Sequence, residues 1–272
     1  MEGNLLLAFA LTAIAGLSTG LGGLVVLFAR RPNLSLLSLG LGFSSGVMIY
    51  ISLVEILPEA IEAFGGHEGG YGGFIALACF FGGFGLSALI DRLVPEPANP
   101  HEVVSAEDMA AAGTGAVENR PALMRMGMFS AAAIAVHNFP EGMATFAATM
   151  SDSTLGISIA VAVAIHNIPE GIAVAVPIWF ATRSRGKALG YATLSGLAEP
   201  LGALAVFLLL LPFIESTPLI VDGLLAAVGG IMVFISFDEL LPTAREYGKG
   251  HTVILGLVLG MAVMAVGLLL AG

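Results

Sequence analysis

The sequence lacks most of what a soluble domain places on its surface. Of 272 residues only 11% are charged, ten of them Lys or Arg, while 57% are hydrophobic and mean hydropathy is +0.95. A soluble domain of this length needs far more charge. A single cysteine, Cys79, excludes an internal disulfide and any thiolate cluster. No basic stripe is present, so nucleic acid is not a partner. No GxxxxGK[ST] run occurs, so this chain does not use ATP. The first apolar stretch follows Glu2 without a basic leader, which reads as a retained span and not a signal peptide.

What is present is a series of long apolar runs, each near the roughly 20 residues that cross a bilayer as a helix. They are continuous and not alternating, which argues against strands. The expected fold is an all-α membrane protein of eight spans: about 4–29, 36–61, 71–93, 122–149, 153–182, 187–211, 217–245 and 250–271. One connection is long, 94–121. Eight spans place all ten Lys and Arg residues on one side, and the opposite connections hold Glu59, Glu62, Glu68, Asp152 and Glu215. The positive-inside rule makes the basic side, with the long loop, cytoplasmic, and puts both termini outside.

Two segments repeat. Gly46–His67 aligns without gaps to Gly230–His251, sharing Gly, Met, Ile, Ser, Glu, Leu-Pro, Ala, Glu and Gly-His. Residues 15–23 align more weakly to 195–203. Spans one and two therefore match spans six and seven in opposite orientation, an inverted repeat of one to three against six to eight around the central pair.

A third repetition carries the chemistry. His137-Asn138-Phe139-Pro140-Glu141-Gly142 lies in the fourth span, and His166-Asn167-Ile168-Pro169-Glu170-Gly171 in the fifth. Spacings of three and four put His, Asn and Glu of each copy on one helix face. Proline cannot donate to the carbonyl four residues earlier, so Val136 and Ile165 have freed carbonyls, expected to open room for an ion beside the histidines.

Glu199-Pro200 sits midway along the sixth span. Three glutamates at mid-membrane without Lys or Arg at that depth are untenable unless they hold protons or cations, since each ionised side chain costs roughly 2.5–3.5 kcal/mol there. Imidazole, carboxylate and amide oxygen without thiolate suit divalent zinc, iron, manganese, cobalt and cadmium. The donors are enough for two ions bridged by Glu141 and Glu170. These metals are substrates, and no prosthetic group is expected.

With these motifs the sequence resembles the ZIP (Zrt/Irt-like) metal-transporter family, most closely its bacterial ZupT-type members. The resemblance covers the whole chain as one transporter domain in the cell membrane, the bacterial inner membrane. It implies one metal position at His137, Glu141, His166 and Glu170, and a second at Asn138, Glu141, Asn167, Glu170 and Glu199. It also implies a homodimer, with spans one, four, five and six carrying metal past a scaffold of two, three, seven and eight.

Along the path, Glu55, Glu59 and Glu62 share one face at the outer end of the second span. Asp238 and Glu239 are their counterparts on the seventh, and acidic mouths would concentrate cations. Ser52 and Ser236, with Met48 and Met232, lie deeper on the same two helices. The expected activity is metal import by alternating access. An intramembrane metalloprotease needs His-Glu-x-x-His with a free Glu, and here Asn follows each His. A channel for the same ions is the remaining alternative.

Overall fold

The computed structural model describes residues 2–28, 33–67, 71–93, 120–209, 217 and 219–271. The connection 94–119 falls outside them, as do Arg30, Arg31, Glu68 and Glu215. Every regular element among the described residues is helical. We number eight rods. Helix α1 is Glu2–Gly23, and α2 runs from Leu34–Ile51 through a π turn, Ser52–Ile56, into Leu57–His67. Then come α3 (Gly72–Leu93), α4 (Arg120–Ser151) and α5 (Ser153–Thr182). Helix α6 is Arg185–Gly196 followed by Ala198–Leu209. Helix α7 is Leu219–Ile235, a π turn Ser236–Leu240 and Leu241–Tyr247, and α8 is Gly250–Ala271. Seven rods are long and apolar enough to cross a membrane. The eighth, α4, has 32 residues, about 48 Å of helix, and carries the first motif. The chain is a multi-pass membrane protein.

Three interruptions have local causes. Pro58 and Pro242 cannot donate to the carbonyls of Val54 and Asp238. Each helix widens just before its proline, and the N–H groups of Leu57 and Leu241 reach back five residues to the carbonyls of Ser52 and Ser236. The two π turns occupy matching positions in the aligned segments 46–67 and 230–251. In α6, Pro200 deprives the Gly196 carbonyl of its donor, and the helix breaks at Leu197. The expected sixth span, 187–211, is therefore two short helices meeting two residues before Glu199.

The ends of α5 are fixed by side chains. Asp152 Oδ1 accepts from the N–H groups of Thr154 at 2.6 Å and Leu155 at 3.0 Å. At the other end Arg183 takes the left-handed conformation (φ 54°) and closes on the Trp179 carbonyl. The guanidinium groups of Arg183 and Arg185 lie 5.5 Å and 5.9 Å from the rings of Phe180 and Trp179, an aromatic and cationic collar suited to a membrane interface.

The rods pack in two sets. Helices α1, α4, α5 and α6 contact one another, and so do α2 with α8, α3 with α7, and α2 with α3 and α7. The sets meet mainly along α2 with α5 and α7 with α4. Near one end of the first set, Phe9, Phe146 and Phe207 stack edge to face, with centroids 5.0–6.5 Å apart.

Contacts recur in exchanged pairs. A β-carbon on Gly16 would strike the Gly196 carbonyl, and one on Gly196 the Gly16 carbonyl. Gly46 of α2 seats on the Leu257 carbonyl of α8, and Gly230 of α7 on the Phe80 carbonyl of α3. The same exchange links Gly260 with Phe43 and Gly83 with Ala227. Small residues let these backbones meet. Gly186 and Gly190, although spaced for such contact, have nothing within 4 Å.

Candidate metal site

The two motifs face each other across the α4–α5 contact. His137, Asn138, Glu141, His166, Asn167, Glu170 and Glu199 are all buried, none more than 3% exposed. Glu141 Oε1 lies 3.2 Å from His137 Nε2 on its own helix and 3.0 Å from His166 Nε2 on the other. Glu170 Oε1 stands 3.8 Å from His137 Nε2. Ligand atoms of His137, His166 and Glu170 come within 4.8 Å of one another, a spacing one cation can bridge.

The asparagines show how the outer part of the cluster is oriented. Asn167 Nδ2 donates to the Ala15 carbonyl of α1 at 3.1 Å and to Glu199 Oε1. Asn138 Nδ2 donates to the Ser195 carbonyl of α6 at 3.4 Å. A backbone carbonyl accepts only from a donor, so these contacts assign the amide nitrogens outward and leave both Oδ1 atoms for the interior. Ser44 of α2 donates to Glu170 Oε1 at 2.8 Å.

The unmet valences follow a pattern. Asn138 Oδ1, Glu141 Oε2, Asn167 Oδ1, Glu170 Oε2 and Glu199 Oε2 are buried without a hydrogen-bond partner, and so is His166 Nδ1. Buried polar atoms are nearly always paired, and buried carboxylates require a compensating charge. No lysine or arginine is buried among the described residues. The donor set is nitrogen and oxygen, concentrated in one place, and fits a divalent cation.

Pro140 and Pro169 both lie inside continuous helices. Val136, Phe139, Pro140 and Met143 line an apolar cleft of about 590 Å³ against α3 and α7, so the flank of α4 at its proline faces that cleft. Pro169 lies against Gly40 of α2. The space at Pro140 is therefore lateral to the ligands. The motif glycines, in contrast, admit neighbours: Gly142 seats on the Glu199 backbone and Gly171 on that of Thr19.

Of the proposed path residues, Glu55, Glu59 and Glu62 line one open cavity of about 440 Å³ with Thr154, Leu155 and Ser158 of α5. Ser52 and Ser236 are fully buried, Asp238 is exposed and Glu239 half-buried. Ser44, and the carbonyls of Ala15 and Ser195, belong to the site but had no motif to reveal them. Ser44 does lie on the same helix face as Met48 and Ser52, four and eight residues away.

Comparison with known proteins places the whole chain in one family. The family model described as ZIP zinc transporter matches residues 3–267. The zinc transporter ZupT of Lysinibacillus sphaericus is 55% identical over 271 residues, covering 99% of both chains. That of Corynebacterium glutamicum is 56% identical over 268 residues, 98% of this chain and 99% of the relative. That of Akkermansia muciniphila is 52% identical over 266 residues and 97% of both. The chain therefore belongs to the ZIP zinc transporter family, whose members are transporters and not enzymes.

Proposed function

We propose that this protein imports divalent transition-metal ions into the cytoplasm, zinc foremost, with iron, manganese, cobalt and cadmium compatible with the same donors. The observation that carries this is the set of buried, unpartnered oxygens on Glu141, Glu170, Glu199, Asn138 and Asn167, gathered with two imidazoles and, among the described residues, no buried lysine or arginine. One ion would be held by His137, Glu141, His166 and Glu170. A second would lie between Asn138, Asn167 and Glu199 and share Glu141 and Glu170. The ions are substrates passing through.

Alternating access is the mode we infer. The packing in two sets supports it, as does an inverted repeat in which α1, α2 and α3 correspond to α6, α7 and α8. The exchanged glycine contacts and the matched π turns favour that repeat. The side bearing Arg92, Arg125, Arg183, Arg185, Lys187, Arg245 and Lys249 is assigned to the cytoplasm, with the connection 94–119, and the termini to the outside. The acids Glu55, Glu59 and Glu62 would form the outer mouth, Asp238 and Glu239 the inner, with Ser52 and Ser236 between them. Family likeness extends the reading to a single transporter domain, a homodimer and the bacterial inner membrane.

The test is metal uptake into proteoliposomes by the wild type and by Glu141→Ala/Glu170→Ala. Saturable uptake lost in the double variant is expected. Normal uptake by the folded double variant would refute the reading.

A further inference from the structure

Most buried hydroxyls among the described residues return to their own helix or reach another partner. Thr12 donates to the Ala8 carbonyl at 2.9 Å, Ser45 to that of Leu41 at 2.9 Å and Ser236 to that of Met232 at 2.8 Å. Among the described residues only Thr19 and Thr145 are buried hydroxyls without a partner. For Thr19 the cause is visible. Its usual acceptor, the carbonyl four residues earlier, is that of Ala15. That oxygen already receives Ser18 Oγ at 2.6 Å and Asn167 Nδ2 at 3.1 Å.

The position of Thr19 has a counterpart. Gly171 of the second motif seats on the Thr19 carbonyl, as Gly142 of the first seats on that of Glu199. Gly22 seats on the Ile168 carbonyl as Gly202 does on that of Phe139. Asn167 reaches the Ala15 carbonyl as Asn138 reaches that of Ser195. In each pair α1 and α6 exchange roles, and so do α4 and α5. Thr19 thus stands to Asn138 as Glu199 stands to Asn167. A β-carbon on Gly196, next to the Ser195 carbonyl that holds Asn138, would lie 3.0 Å from Thr19 Cβ. Asn138 Oδ1 and Thr19 Oγ1 are both buried and unpartnered.

We propose that Thr19 of α1 supplies a further oxygen ligand to the metal cluster, beside Asn138 and opposite Glu199, and favours harder cations such as manganese. This rests on the metal-import reading above. A neutral hydroxyl adds an oxygen donor without adding negative charge, and oxygen-rich surroundings suit manganese better than imidazole-rich ones.

The experiment compares wild type, Thr19→Val and Thr19→Ser in proteoliposome uptake of Mn²⁺ and Zn²⁺. Calorimetric Mn²⁺ binding to the detergent-purified protein is measured in parallel. Valine preserves shape and removes only the hydroxyl. Thr19→Val is expected to raise the KM and Kd for Mn²⁺ by about tenfold, with a smaller change for Zn²⁺, and Thr19→Ser to stay close to wild type. An unchanged Mn²⁺ affinity and an unchanged Mn²⁺/Zn²⁺ ratio in Thr19→Val would overturn the inference. Absence of uptake by the wild type would instead overturn the proposed function.

Discussion

His166 on α5 lies closer to Glu141 of the opposite motif, at 3.0 Å, than His137 does on Glu141's own helix, at 3.2 Å. One carboxylate oxygen thus serves both imidazoles, and the two motifs form one site.

Glu141→Gln preserves size while removing the charge between the histidines. Zinc at one hundred times its dissociation constant should stabilise the wild type by about 2.7 kcal/mol, read as a rise in Tm. In Glu141→Gln that rise should be largely lost at the same zinc concentration. An equal shift in both proteins would show that Glu141 holds no metal.

Ser44 orients Glu170 through the 2.8 Å hydrogen bond from α2. Partners that orient a ligand without touching the metal are worth about 10–100-fold in affinity. Ser44→Ala should therefore weaken zinc binding by about tenfold in a calorimetric titration, with little change in helicity by circular dichroism. Unaltered affinity would show that Glu170 is held without Ser44.

Gly142 and Gly171 have backbone where a β-carbon would go, from Glu199 and Thr19 respectively. Alanine at either position must part α4 from α6 or α5 from α1, at a cost of about 1–3 kcal/mol. Each variant should melt lower and lose uptake. Gly82→Ala, where nothing lies within 4 Å, should be neutral or slightly stabilising.

Asp152 caps α5 through the N–H groups of Leu155 and Thr154, which hold its carboxyl below the usual range. Its folded-state pKa lies below the unfolded value near 3.9, so its contribution is present above that value and fades as pH falls through the folded one. Asp152→Ala should cost about 1 kcal/mol near neutrality, measured as a lower Tm. The difference from wild type should shrink in strongly acidic buffer.

Much of the site was legible because His, Asn and Glu at spacings of three and four must share a helix face, and because Glu199 is costly at its depth. The eight rods were legible from the apolar runs. Ser44 was not, since an isolated serine is ordinary in a membrane helix and its partner is 126 residues away. The anchoring of Asn138 and Asn167 was hidden for another reason: Ser195 and Ala15 contribute backbone carbonyls, which leave no side-chain signature. The π turns were also missed. Pro58 and Pro242 announced a disturbance, but sequence does not distinguish a bend from an extra residue in the turn. At the start of the two turns Ser52 meets the Met232 sulfur and Ser236 that of Met48, each at 3.8 Å.

All seven ligand candidates belong to α4, α5 and α6, and Ser44 is the one side chain of the other set with a described hydrogen bond to them. A hydrogen bond to a charged group contributes about 1.5–3 kcal/mol. Breaking that hydrogen bond would account for about two powers of ten in rate, on top of the resistance from the apolar packing of α2 on α5 and of α7 on α4. The α2–α5 seam thus carries a polar latch on Glu170 amid apolar packing, and Ser44→Ala would open the latch while leaving the packing in place.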